Sequence, residues 1–285
     1  MLTRHAAFLL LCAVGLGLFY SPMIQLLRMS SHSELYSHIP VIPLISLCIL
    51  IFRRKRILAE VSWGWGLGFA LPALGLALLL SANRISGLNQ NDYLSVVMSG
   101  AVLWFIGSFV LAYGGSAFKE AMFPLLFLIF VIPIPTFILD PLVDLLLIGS
   151  AYSTDLIFGL TGVPVHREGF VFALPGITIE IAEQCSGIRS SIALIISSLF
   201  AGYLFLRKGW TRVILVLSFF PITVFKNALR IVTLSLLASY VDTRFITGSW
   251  LHKSGGIPFF AVGLALMAPV LWALMRWEKR KTSKQ

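Results

Sequence analysis

Apolar residues run along this chain in long blocks, and the polar residues collect where the blocks end. The blocks fall at about residues 6–27, 39–52, 63–82, 93–113, 121–139, 186–206, 213–238 and 257–277. A helix needs about 20 apolar residues to cross a hydrocarbon core about 30 Å thick. Seven of the blocks have that length, and the second, which is shorter, must recruit part of its flank. The pattern predicts an all-α polytopic membrane protein of about eight transmembrane helices. Composition agrees: 58% of residues are hydrophobic and only 12% charged, where a soluble domain carries about 25% charged residues. The first block lacks a convincing small-residue cleavage site and is expected to stay as a crossing.

Net charge is +10, but the cations are banded. Arg53, Arg54, Lys55 and Arg56 follow the second block. Arg207, Lys208 and Arg212 link the sixth to the seventh. Arg276, Lys279, Arg280, Lys281 and Lys284 follow the eighth. With Arg4 and Lys119 this places 14 of 22 basic residues on one side of the membrane. The positive-inside rule makes that side cytoplasmic, with both termini inside. Such bands meet lipid headgroups, so no nucleic-acid partner is expected. Residues 28–38, 83–92, 140–185 and 239–256 then face outward.

The outer segment 140–185 is not uniform. Residues 141–160 set Asp144 and Asp155 on an apolar pattern, which predicts an amphipathic helix on the outer surface rather than a ninth crossing. Residues 170–174 and 177–181 flank Pro175–Gly176, which predicts a short hairpin leading to Cys185. Pro133 and Pro135 should end or kink the fifth crossing. The expected organisation is a single membrane domain over 1–285, with N-terminal helices in 1–120, a core in 121–277 and a disordered cytoplasmic tail in 278–285.

Three chemically capable groups fall at one expected depth. Cys185 stands where the sixth crossing begins, beside Gly187, with Ser186 as the expected helix cap and Arg189 close by. A helix N-terminus and a cation both favour a thiolate. Arg230 lies 17 residues into the seventh crossing from Val213, about 26 Å at 1.5 Å per residue, which carries it to the outer surface. With Lys226 and Asn227 it forms a polar stripe on one helical face. His252 lies in the outer loop before the last crossing. Each has a plainer reading alone: a packed thiol, an arginine snorkelling to headgroups, a loop histidine without a task. Together they make a nucleophile, a fixed cation and a proton carrier. Glu180 and Glu183 either support this group or face water; the second is expected. His32, His38 and His166 also face outward as competitors. Cys12 and Cys48 are expected to be inert packing residues, and Gly64 with Gly68 a helix-packing pair. No metal or cofactor is expected: metal-ligand spacing, a P-loop and a dinucleotide fingerprint are all missing.

The strings CSGIRSS at a crossing start, NALRI inside the next crossing, and a loop histidine followed by glycines and PFF resemble the exosortase family. So do PLLFLIFVIPIP, GVPVHREGFVFALPGITIEI and the early YSHIPVIPL. The resemblance runs over residues 35–265 and is strongest over 121–260. It implies a cysteine transpeptidase of the bacterial inner membrane whose active site faces the periplasm. Cys185 would be the nucleophile, with Arg230 and His252 completing the site and Asn227, Ser186, Gly187, Arg189, Glu183 and Lys226 supporting it. Archaeal relatives carry arginine in place of His252, so the match is to the bacterial branch. The implied partners are the lipid bilayer, an amine acceptor and exported proteins that end in a PEP-like motif, one transmembrane helix and a basic cluster. The rival reading is a transporter or flippase that holds an anionic lipid-linked substrate on Arg230 and Lys226. A third is a scaffold that retains tailed proteins without chemistry.

Overall fold

The computed structural model describes residues 1–182, 186–247 and 256–282. The chain divides into two compact units, Met1–Leu139 and Asp140–Gln285. Among the described residues, seven helical stretches are long and apolar enough to cross a membrane, and an eighth is made by a bent helix pair. The protein is a multi-pass helical membrane protein, as the hydrophobic blocks require.

In the first unit, α1 (Leu2–Leu18) and α2 (Tyr20–His32) form that pair, bent by 69°. They are followed by α3 (Val41–Ile57), α4 (Trp65–Ala82) and α5 (Gln90–Phe127). α5 is interrupted at Gly114, whose φ of 86° and ψ of 179° suit only glycine. The break frees carbonyls in an apolar setting, and the loop before α4 fills them. Ser62 N donates to Tyr113 O at 3.1 Å and Gly64 N to Leu111 O at 3.2 Å. α5 then doubles back: Ser95 Oγ donates to Pro133 O at 2.8 Å and Asn91 Nδ2 to Ile134 O at 2.8 Å. The two arms are the fourth and fifth expected crossings. The second ends in a 3-10 turn over Leu128–Val131, at the prolines expected to stop it.

The ends of these helices gather in two layers. Tyr36 donates to Asn91 at 2.6 Å, and Asp92 accepts from Thr136 N at 2.7 Å. At the opposite end Arg4 donates to Ala112 O at 3.2 Å, and Arg56 pairs with Glu120 at 2.6 Å. Alternating crossings produce this sorting. Glycines bring α4 against α5: a Cβ on Gly100 would press on the Gly75 carbonyl, and one on Gly68 on the Leu111 backbone. Gly64 and Gly68 thus serve packing, as expected. Cys48, by contrast, is exposed on α3 and Cys12 only half-buried. Neither is a core residue, since α3 turns Ile42 and Ser46 inward instead.

The second unit opens on α6 (Thr136–Thr161). Its buried stripe is Leu146, Leu147, Ser150, Ala151, Thr154 and Phe158. Asp140, Asp144 and Asp155 are exposed, and Asp155 meets Arg167 at 3.4 Å. By length and composition α6 qualifies as a crossing, whereas the sequence lays it on the outer surface. A three-stranded antiparallel sheet follows: β1 (His166–Glu168), β2 (Val171–Leu174) and β3 (Ile177–Glu180). Leu174 faces Ile177 across a two-residue turn. Pro175 presets the turn and Gly176 closes it with φ of 84°. This is the expected hairpin. β1 was not expected, because three polar residues carry no alternation to read.

The remaining helices are α7 (Ile188–Phe205), α8 (Gly209–Leu217), α9 (Phe219–Tyr240), α10 (Arg244–Thr247) and α11 (Gly256–Thr282). The seventh expected crossing is divided between α8 and α9 because Pro221 has no N–H for the Leu217 carbonyl. α11 runs to Thr282, through the first residues of the segment 278–285 expected as the tail. The cause is Glu278, which is buried and accepts from Arg207 N and Lys208 N at 2.9 Å and from Thr211 Oγ1 at 2.6 Å. A carboxylate of the last helix thereby binds the start of α8, where the macrodipole favours it.

Candidate functional site

α9 carries the polar stripe through an apolar helix. Lys226 is 2% exposed, Asn227 1% exposed, and Arg230 is half-buried one turn further on. The Lys226 stem passes Gly263 of α11, where a Cβ would stand 3.3 Å from Lys226 Cδ and 3.1 Å from Leu194 Cδ1. A larger residue there would crowd the stem. The Lys226 amine donates to Ser190 Oγ on α7. Asn227 Nδ2 donates to Ser150 Oγ on α6 at 2.9 Å.

These partners bracket the start of α7. Gly187 is its N-cap, in the left-handed region at φ 76° and ψ 11°. A Cβ on Gly187 would lie 3.0 Å from Cγ and Oδ1 of Asn227. The Gly187 carbonyl accepts from Ser190 Oγ at 2.9 Å, Ser191 Oγ at 2.8 Å and Ser191 N at 3.0 Å. Ser186 is fully buried but does not hold the cap position expected of it; its only hydrogen bond among the described residues is a long one, 3.4 Å from Ile188 N. The left-handed turn shifts the cap to Gly187. Arg189 is exposed on the first turn.

Just beyond, the sheet rests in a cluster shared with α6 and α9. Phe172, Leu174 and Ile181 pack with Leu147, Ala151, Phe158, Ile231 and Val232. Ser239 near the end of α9 donates to the Pro175 carbonyl at 2.8 Å, fixing the hairpin tip. Ile181 therefore belongs to the same cluster as Ile231, the neighbour of Arg230, while Gly187 stands against Asn227, three residues before it. Among the described residues Arg230 has no hydrogen-bond or ion-pair partner.

Of the site residues expected from sequence, the structure brings Lys226 and Asn227 against the start of α7, which carries Ser186, Gly187 and Arg189, while Arg230 stands one turn further along α9. Cys185, Glu183 and His252 lie outside the described residues. Glu180 is exposed, as expected of a water-facing carboxylate. His166 is exposed beside Glu168 at 3.3 Å. The sequence reading missed Ser150, Ser190 and Gly263. Small polar or small residues in apolar helices were their only signal, and nothing in sequence pairs them with α9.

Fold and cluster define a multi-pass helical membrane protein with a buried polar group where one crossing begins. The chain belongs to the transmembrane exosortase family, whose model it matches over residues 29–269. No curated protein and no solved structure matches it.

Proposed function

We propose that this chain is a membrane-embedded cysteine transpeptidase that removes a C-terminal sorting tail from exported proteins. It acts in the bacterial inner membrane, with both termini cytoplasmic and the active site toward the periplasm. The observation that carries the reading is Arg230: a half-buried guanidinium with no partner among the described residues, one helical turn from the Lys226–Asn227 pair that meets the start of α7, two residues after Cys185. A permanent cation so placed in an apolar helix is costly unless it serves a substrate or a developing charge.

In the reaction the Cys185 thiolate attacks the scissile carbonyl carbon of the tail. Arg230 receives the negative charge that builds on the carbonyl oxygen. The C–N bond breaks as His252 gives a proton to the leaving amine, and the exported protein stays on sulfur as a thioester. An amine acceptor, or water, attacks the thioester and returns the thiol. The substrate tail, a PEP-like motif followed by one apolar helix and a basic cluster, lies in the bilayer with its basic end inside.

The test is co-expression of a tailed substrate with the wild type and with Cys185→Ala. Tail loss with the wild type alone, together with a hydroxylamine-sensitive adduct on Cys185, is the expected result. Equal processing by both proteins overturns the proposal. A flippase reading draws on the same cations, Lys226 and Arg230, neither paired with a carboxylate among the described residues. It requires full activity in Cys185→Ala.

A further inference from the structure

The Lys226 amine is difficult to explain as packing. It is buried among apolar helices, and among the described residues its partner is a hydroxyl, that of Ser190. A leucine or methionine would fill the same space without the cost of desolvating an amine. Nor does it serve the helix it touches. Ser190 is in the first turn of α7, where the macrodipole favours negative charge and opposes a cation. The amine is better explained by what its donor does to this turn.

The amine starts a relay. Lys226 donates to Ser190 Oγ, and Ser190 Oγ donates to the Gly187 carbonyl at 2.9 Å. Asn227 bears on the same glycine, at the distance where a Cβ would already crowd it, and is itself held by Ser150. Gly187 is in a left-handed conformation, which glycine enters about as readily as the right-handed one, so the residue itself does not fix the turn and its surroundings must. Three helices thus converge on one peptide: α6 through Ser150, α9 through both stripe residues, α7 through its serines. α11 contributes the space that Gly263 leaves for the lysine stem.

We propose that Lys226 and Asn227 are positioning residues that clamp the Gly187 turn and so set Cys185, two residues ahead of it, for its reaction near Arg230. The proposal rests on the reading of Cys185 as the nucleophile. Both act through the backbone of the turn.

The experiment compares Lys226→Met, Ser190→Ala and Ser190→Thr in the full-length protein, with Cys12 and Cys48 replaced by serine. Turnover of a tailed substrate is measured beside the rate at which Cys185 is alkylated by a small maleimide. Lys226→Met and Ser190→Ala are expected to lower kcat about 100-fold, the effect of misplacing a reacting group by about 1 Å, with KM within about twofold. The alkylation rate of Cys185 should shift at least about threefold in both variants. Ser190→Thr, which keeps the hydroxyl, should restore most of both. Wild-type turnover and alkylation in Lys226→Met overturn the proposal, as does failure of Ser190→Thr to rescue a folded Ser190→Ala protein. Were Lys226→Met not to accumulate, the serine pair would decide alone. Altered alkylation in a protein whose Cys185→Ala form still processes tails would uphold the clamp and overturn the proposed chemistry.

Discussion

Arg230 and Gly187 are two residues of unlike chemistry in the proposed site. Arg230 is a charge with nothing to neutralise it among the described residues. Removing it as Arg230→Ala is expected to slow tail cleavage by about 100- to 1000-fold, the usual effect of losing a donor to a developing oxyanion. Arg230→Lys should recover only part, because a point charge cannot reproduce a planar fork of donors. Cleavage rates at matched protein levels check this, and an unchanged rate in Arg230→Ala would remove the residue from the site. Gly187 acts through shape alone. Gly187→Ala forces a side chain into a left-handed turn and against Asn227, and should cost about 1–2 kcal/mol. A drop in melting temperature in detergent would register it; an unchanged one would mean that the turn relaxes without loss.

At the scale of elements, backbone saturation explains the unusual features. In hydrocarbon no peptide group can go unbonded, so each break in a helix must be matched by a donor or acceptor from elsewhere. The Gly114 break is matched by Ser62 and Gly64, and the stretch 133–134 by Asn91 and Ser95. α4 and the first arm of α5 approach so closely at Gly75 and Gly100 that no side chain fits between them. Gly100→Leu should therefore cost about 1–3 kcal/mol by overpacking, read as a lower unfolding temperature, and an unaltered temperature would contradict the close approach. The hairpin at Pro175–Gly176 is a local matter: a fixed φ, then a glycine, returns the chain on itself.

For the whole molecule, two questions follow from charge. Glu278 ties α11 to the entry of α8 by three hydrogen bonds. Glu278→Ala should cost about 2 kcal/mol, as loss of a helix cap does, and Glu278→Gln less; thermal unfolding of the two variants tests the order. The second question is α6. Counting the arms of α5 separately, and α1–α2 as one bent span, makes nine helical stretches of crossing length among the described residues, one more than the eight expected. If α6 crossed, the cations at 207–212 and 276–284 would face outward, against the positive-inside rule. A reporter inserted after Gly162 is expected to lie on the same side as one inserted after Ile132. Opposite sides would make α6 a ninth crossing and reverse the orientation of all that follows.

Much of this was readable from the chain. Block length and Pro–Gly punctuation are local properties, so they located the apolar helices, the fifth helix's end and the hairpin without knowledge of any partner. The polar stripe at Lys226, Asn227 and Arg230 was visible for the same reason: charge in an apolar block is anomalous wherever it is read. What the tertiary structure decided is which groups meet. That Ser190 receives Lys226, that Ser150 receives Asn227, that Gly187 rather than Ser186 caps α7, and that Glu278 belongs to α8 all depend on pairs of residues 36 to 77 positions apart or on a left-handed turn held from outside. Periodicity reports which face of a helix is apolar, not the neighbour that face will find, and a buried polar atom is satisfied only by a neighbour.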